Sequence, residues 1–251
     1  MAEDYSYLGS GIVLIREWNS GLPFEEVGNV SAFSVAPQSS TLELADYQNP
    51  GGGIANRVDR VTGYNLSYTF HDFNVTNFAR ATRGKVSEVA AGSIADELAR
   101  ATAGAYVPLT RIATEITSVK PVTGTTTYEA GKDYRLERGM LFIPVGSSIA
   151  AGDPAGAPNV KVSYKNAALG HVEAAVTGQK FYEMQFHGAN EARSSKAVRL
   201  VCHKVSGGVI ESMGLIGTEF GAGSVPGALV KDSAKATGPD KSAYFYWQQE
   251  K

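Results

Sequence analysis

The sequence predicts a mainly β fold, and three observations carry that reading. First, residues 64–70 alternate without a break: Tyr64, Leu66, Tyr68 and Phe70 point one way, Asn65, Ser67 and Thr69 the other. Period-two alternation marks a strand with one buried face and one wet face. Second, strand-like runs recur at 12–18, 27–35, 160–165, 180–187, 196–206 and 242–250. Third, the composition suits turns and contact surface. Gly supplies 28 of 251 residues, above the usual share of about 7%. Charged residues are only 19%, and there are 12 Tyr, where about a quarter charged is typical.

The length fits one large β domain or two smaller ones. The formal net charge is −2 with Lys and Arg scattered, which is no nucleic-acid footprint. The acidic start Met1-Ala2-Glu3-Asp4 is followed by no apolar stretch, so no signal peptide is expected. No run of 18 apolar residues predicts a membrane span. The only cysteine, Cys202, excludes an internal disulfide framework and fits a reducing cytoplasm. It sits in the apolar run 197–202, where a buried, inert thiol is expected.

Taken in order, residues 1–10 read as an arm rich in Tyr and Gly, and 12–18 as a buried strand. Residues 27–35 form a second strand, with Val27, Phe33 and Val35 on one face. Residues 37–62 show no period and read as a long loop. Its apolar centre at 42–47 reads as a contact loop, and Gly51-Gly52-Gly53 as a flexible turn lacking the Lys and helix start of a phosphate cradle. After the strand at 64–72, a short helix is expected over 74–84, capped by Asn74 and closed by Gly84. Residues 85–117 are ambiguous: Ser93 to Asp96 looks like a capping box, and 93–104 is open to either helix or extended chain. Residues 118–166 read as a small separate β unit with a turn around Gly131, a strand at 139–143, a turn region at 149–158 and a strand at 160–165. Long strands then return at 180–187 and 196–206, around a turn at 188–191, and continue at 211–220. The last strand, 242–250, is aromatic on both faces and is expected to be buried on both.

Chemical motifs are missing. The four histidines make no i,i+4 pair and none pairs with Cys202 at a ligand spacing. His71 and Asp72 are neighbours at a strand end and point to opposite faces. There is no nucleophile elbow, P-loop or dinucleotide fingerprint. Asp133 reads as a turn cap. Glu43 and Asp46 read as solvated loop residues or as subunit contacts. No catalytic residue, metal ligand or cofactor is expected, and the chain reads as a β scaffold that assembles, not as an enzyme.

The order of these pieces resembles the tail tube protein (major tail protein) of long-tailed bacteriophages with non-contractile tails. The resemblance rests on the arm with Tyr7 and Gly9-Ser10-Gly11, then Val27-Gly28-Asn29-Val30-Ser31, the long loop leading to Gly51-Gly52-Gly53, the strand at 64–72, the helix at 76–83, and Phe186-His187-Gly188-Ala189-Asn190 before a closing β section. The unit Tyr128 to Tyr134, with Gly139 and Val160 to Tyr164, resembles a small module often inserted in phage tail proteins.

The resemblance implies a β-sandwich or barrel core, 1–117 with 167–251, flanked by the helix, with 118–166 inserted on the exterior. It implies homo-hexameric rings stacked into a tube, a conduit for genome DNA without sequence-specific binding. It implies tape measure and tail terminator or tip proteins as partners, and the virion tail, after assembly in the host cytoplasm, as location. The loop at 38–54, with Leu42, Glu43, Leu44, Asp46 and Tyr47, would contact the neighbouring ring, and Asn65, Ser67 and Thr69 are the candidate lumen-facing residues. The alternatives are a type VI secretion-like tube protein, and a β-sandwich binding or decoration module of a virion or cell surface.

Overall fold

The computed structural model describes residues 5–150, 152 and 156–251, so residues 1–4 of the expected arm and residues 151 and 153–155 of the expected turn region at 149–158 lie outside the described residues. The chain is mainly β. In order it forms β1 (Gly9–Glu17), β2 (Glu25–Glu26), β3 (Val30–Ala45), β4 (Ile54–Phe70), α1 (Val75–Thr82), β5 (Lys85–Val89), β6 (Gly92–Ala99), β7 (Tyr106–Val107) and β8 (Ala113–Pro121). It continues with β9 (Arg135–Glu137), β10 (Met140–Phe142), β11 (Val160–Asn166), β12 (Leu169–Glu173), β13 (Phe181–Asn190), β14 (Lys196–Gly207), β15 (Ser212–Met213), β16 (Gly223–Leu229) and β17 (Phe245–Gln249). The chain divides into two compact units, Met1–Val86 with Val172–Lys251, and Ser87–His171.

In the first unit one antiparallel sheet runs β2-β1-β13-β14-β16-β4-β3, with β15 beside β16 and β17 beside β14. The predicted alternation in β4 is real: Leu66, Tyr68 and Phe70 are buried while Asn65, Ser67 and Thr69 face outward. The same inner face collects Val13 and Ile15 of β1, Met184 of β13, Cys202 and Val205 of β14, and Val225 and Leu229 of β16. Burying each large apolar side chain contributes about 1.5–3 kcal/mol, so this shared core holds the sheet curled. Phe33 of the end strand β3 stacks on Phe186 of β13 at 6.3 Å, a contact between strands that are not neighbours in the sheet. Burial pushes the Tyr68 hydroxyl up to about 12.

Helix α1 starts where Asn74 accepts a bond from the Asn77 N–H at 2.8 Å. The expected Gly84 closure is displaced by one residue: Arg83 takes the left-handed conformation (φ 51°), and the Gly84 N–H bonds back to the Ala79 carbonyl at 2.7 Å.

Several expectations from the sequence give way here. Residues 37–62 are not a loop: they belong to one long hairpin of β3 and β4, paired from Val30↔Phe70 to Ala45↔Ile54 with register shifts between Val30 and Ala32, Gln38 and Ser39, and Leu44 and Ala45. Its outer half is exposed on both faces, so no buried face imprints the alternation that announces a strand. β13 runs through the expected turn at 188–191 to Asn190, and the chain turns at Glu191–Arg193 instead. The strand expected over 211–220 shrinks to β15. β16 was hidden by Gly223, Pro226 and Gly227. A Cβ on Gly208 would lie 1.5 Å from the Pro226 carbonyl oxygen, so that carbonyl faces Gly208. The proline nitrogen of an antiparallel strand points the same way, and the missing N–H therefore interrupts no bond to β4.

The second unit packs two three-stranded sheets, β7-β10-β9 and β6-β11-β8, around Val119, Leu141, Ile143, Val160, Val162 and Tyr164. Its extent corrects the expected boundary at 118–166. β11 is the central strand of its sheet, with Val160 opposite both Ala99 and Pro121, so 92–99 and 113–121 are inseparable from it. Residues 93–99 are extended, not helical. Asp96, the supposed helix-box acid, sits at a bulge with φ 53° and its N–H bonds to Ser163 Oγ at 3.1 Å. Asp133 does cap a turn: it accepts the Glu129 N–H and both the N–H and hydroxyl of Ser148, each at 2.9 Å.

Candidate assembly surface

The outer hairpin is amphipathic. Side chains opposite one another across β3 and β4 share a face, and the register pairs Leu42 with Val58 and Leu44 with Asn56. Leu42 and Leu44 are 58% and 57% exposed, and Val58 is 43% exposed. The other face carries charge. Thr41 Oγ1 donates to Asp59 Oδ1 at 2.6 Å, and Arg57 bonds Asp59 at 3.2 Å and Glu43 at 3.2 Å. One face is thus satisfied within the ribbon, and the other presents a short apolar stripe, with Arg60 opposite Ser40 at its inner end, that none of the described residues covers. The eight residues 38–45 span roughly 25 Å at strand rise.

The tip is a built turn. The Asp46 N–H bonds the Gly53 carbonyl at 2.7 Å. The Asp46 carboxylate accepts the Asn49 amide at 2.7 Å and the Gln48 N–H at 2.8 Å, and these bonds, the Asn49 one first, hold its carboxyl below the usual carboxylate range. Gly51 and Gly52 take positive φ, 105° and 58°, which a side chain would strain. Tyr47 stands 87% exposed at the tip. Of the five predicted contact residues, Leu42, Leu44 and Tyr47 are free to meet a partner, Glu43 serves the ribbon's own ion pair, and Asp46 builds the turn.

The three predicted lumen residues share the outer face of β4. Asn65 is flanked by Ala36 and Ala228, Ser67 by Ser34 and Pro226, and Thr69 by Ala32 and Ser224. Ser67 and Ser34 share a hydroxyl bond at 2.8 Å. None of these nine side chains is charged, and all are small.

β17 departs from the expectation of burial on both faces. It is an edge strand paired with β14 alone, and Tyr246 and Trp247 remain 36% and 46% exposed. Trp247 packs edge-on against Tyr7 of the arm at 5.7 Å. The arm itself is clamped by the fully buried Asn190, whose amide donates to the Ser6 carbonyl at 2.9 Å and accepts the Leu8 N–H at 3.1 Å. Asn190 was not singled out by the sequence, because a lone Asn at a strand end reads as a turn. His71 and Asp72 are both engaged locally, His71 with the Gly221 carbonyl and Asp72 with the Asn29 N–H, each at 2.9 Å.

No helix among the described residues is long and apolar enough to cross a membrane. No curated protein matches the chain. A family model does, over residues 6–248. The chain belongs to the family described as Protein of unknown function UCP028589.

Proposed function

We propose that this chain is a structural subunit of a phage tail tube, assembling as homo-hexameric rings that stack into a conduit for DNA. The observation that carries the reading is the β3–β4 hairpin, which holds out an apolar stripe of Leu42, Leu44 and Val58 with no cover among the described residues. An exposed apolar ribbon and open strand edges are aggregation hazards, and closed assembly of identical copies removes them. In this reading the hairpin seats on the adjacent ring, and β17 with its exposed aromatics meets a neighbour.

The uncharged outer face of β4 suits a lumen wall. Small neutral side chains give passing phosphates neither ion pairs nor bulk, and any charge set further back acts only within about 8 Å at physiological salt. Tape measure and terminator or tip proteins would be the partners, and the virion tail the location. The Ser87–His171 unit, folded around its own core, fits a module carried outside the tube.

Negative-stain electron microscopy of the concentrated protein, with its solution mass measured alongside, tests the reading. Six-fold rings or hollow tubes are expected. A discrete monomer or trimer across the concentration range would favour a binding or decoration module instead.

A further inference from the structure

A small basic pocket lies in the first unit between α1 and the start of β13. One wall is a single face of α1 and its cap, with Thr76, Arg80 and Arg83 about a turn apart. Gly178, Lys180 and Tyr182 form the other. The cavity is about 150 Å³. That is a few waters' worth at about 30 Å³ each, and below the roughly 300 Å³ where pockets for organic ligands begin.

Its three cations are not equally matched. Arg80 pairs with Glu25 and donates to Asn77 Oδ1 at 3.3 Å. Lys180 Nζ donates to Glu17 Oε2 at 2.7 Å. Arg83 has no carboxylate partner among the described residues, and its Nε is buried without an acceptor. Three cations against two carboxylates leave one positive charge uncompensated. A charged donor left buried and unmatched is costly, and such groups normally have a partner.

The backbone adds a second observation. Arg83 sits in the left-handed region (φ 51°, ψ 40°) that closes α1, a place glycine fills without strain. A long cationic side chain kept at a strained position, with an unmatched donor beside a cavity of ionic size, is an outlier of the kind found at ligand sites.

We propose that this pocket binds a compact oxyanion of the phosphate class, free or borne as a terminal phosphoryl group, with Arg83 as its principal ligand and Lys180 and Arg80 supporting. The guanidinium suits such an anion because it donates two parallel bonds to neighbouring oxygens. The site stands independently of the assembly reading.

The test is a titration of the full-length chain with inorganic phosphate at constant ionic strength, followed by the arginine Nε–H resonances. The expected result is a saturable shift of one buried Nε–H signal that is absent from Arg83→Gly. Arg83→Gly removes the side chain while relieving the backbone, so its melting midpoint should hold or rise as phosphate affinity falls about tenfold or more. Lys180→Met should weaken binding too, and the exposed Arg60→Gln should not. A nucleoside monophosphate titrated in parallel separates the sources: affinity equal to phosphate points to a borne phosphoryl group, and a much weaker one to the free ion. No saturable shift in the parent chain, or undiminished binding by both Arg83→Gly and Lys180→Met, overturns the proposal.

Discussion

Replacing Leu42 and Leu44 together by serine should abolish tight self-association while leaving the subunit folded. Both side chains are a little over half exposed, at 58% and 57%, and neither supports the core. Surface substitutions of this kind change stability by no more than about 0.5 kcal/mol. Association is different. Full burial of a leucine is worth about 1.5–3 kcal/mol, so covering the exposed part of both adds about 2–3 kcal/mol to each hairpin contact. That corresponds to a roughly 30- to 150-fold weaker association constant per contact in the double variant. In the proposed stack each subunit would make this contact again, so the loss would compound. Sedimentation velocity over a concentration series reads the association, and thermal melting the fold. An unchanged association constant with an unchanged melting midpoint would refute the reasoning, because the stripe would then lie outside every interface.

Two further outcomes follow from the second unit. Tyr164→Phe removes a fully buried hydroxyl that donates to Glu97 Oε2 at 2.7 Å and accepts the Arg111 N–H at 3.1 Å, so the unit should lose about 1–3 kcal/mol; an unmoved unfolding midpoint would contradict this. The Asp133 carboxyl is held below its ordinary value, chiefly by the bond from the Glu129 N–H and then by Ser148. Its contribution is therefore fully present above the unfolded carboxyl value of about 3.9 and disappears as pH falls through the lower folded value. Asp133→Asn should lower the urea midpoint at neutral pH and converge on the parent in acid, and a gap independent of pH would sink that account.

What the sequence announced was whatever had one dry face and one wet one. β4 from Tyr64 to Phe70 and β14 around Cys202 alternate or run apolar because one face meets the core, and the helix after Asn74 was legible from its cap. The outer hairpin was invisible for the complementary reason: with both faces wet, its alternation is confined to the short run Thr41 to Leu44, too brief to separate a strand from a loop. β16 hid behind a proline that costs nothing where it sits, because tertiary placement of Gly208 decides that and local propensity cannot. The boundary near 118 failed because the partner of 113–121 is β11, far along the chain, and pairing at that separation leaves no local mark. The apolar residues at 42–47 were legible as a contact patch. Which of them are free, and that Asp46 is spent on its own turn, required the register and the hydrogen bonds.

An isolated two-stranded hairpin is marginally stable in water, and this one has little to hold it in the free subunit beyond its ladder. The Thr41, Asp59, Arg57 and Glu43 network lies in solvent, where such pairs contribute roughly 0.2–1 kcal/mol each. That network fixes register more than it adds stability, since a one-residue slip would carry Leu42 and Leu44 to the charged face. In the proposed assembly, a neighbour covering the apolar face would supply the third layer the ribbon lacks. Ordering of the outer hairpin and docking would be one event in that assembly. Hydrogen exchange in residues 38–63 should then be fast in the monomer and slow in the assembled state, while β4 from Leu66 to Phe70, already inside the core, is protected in both.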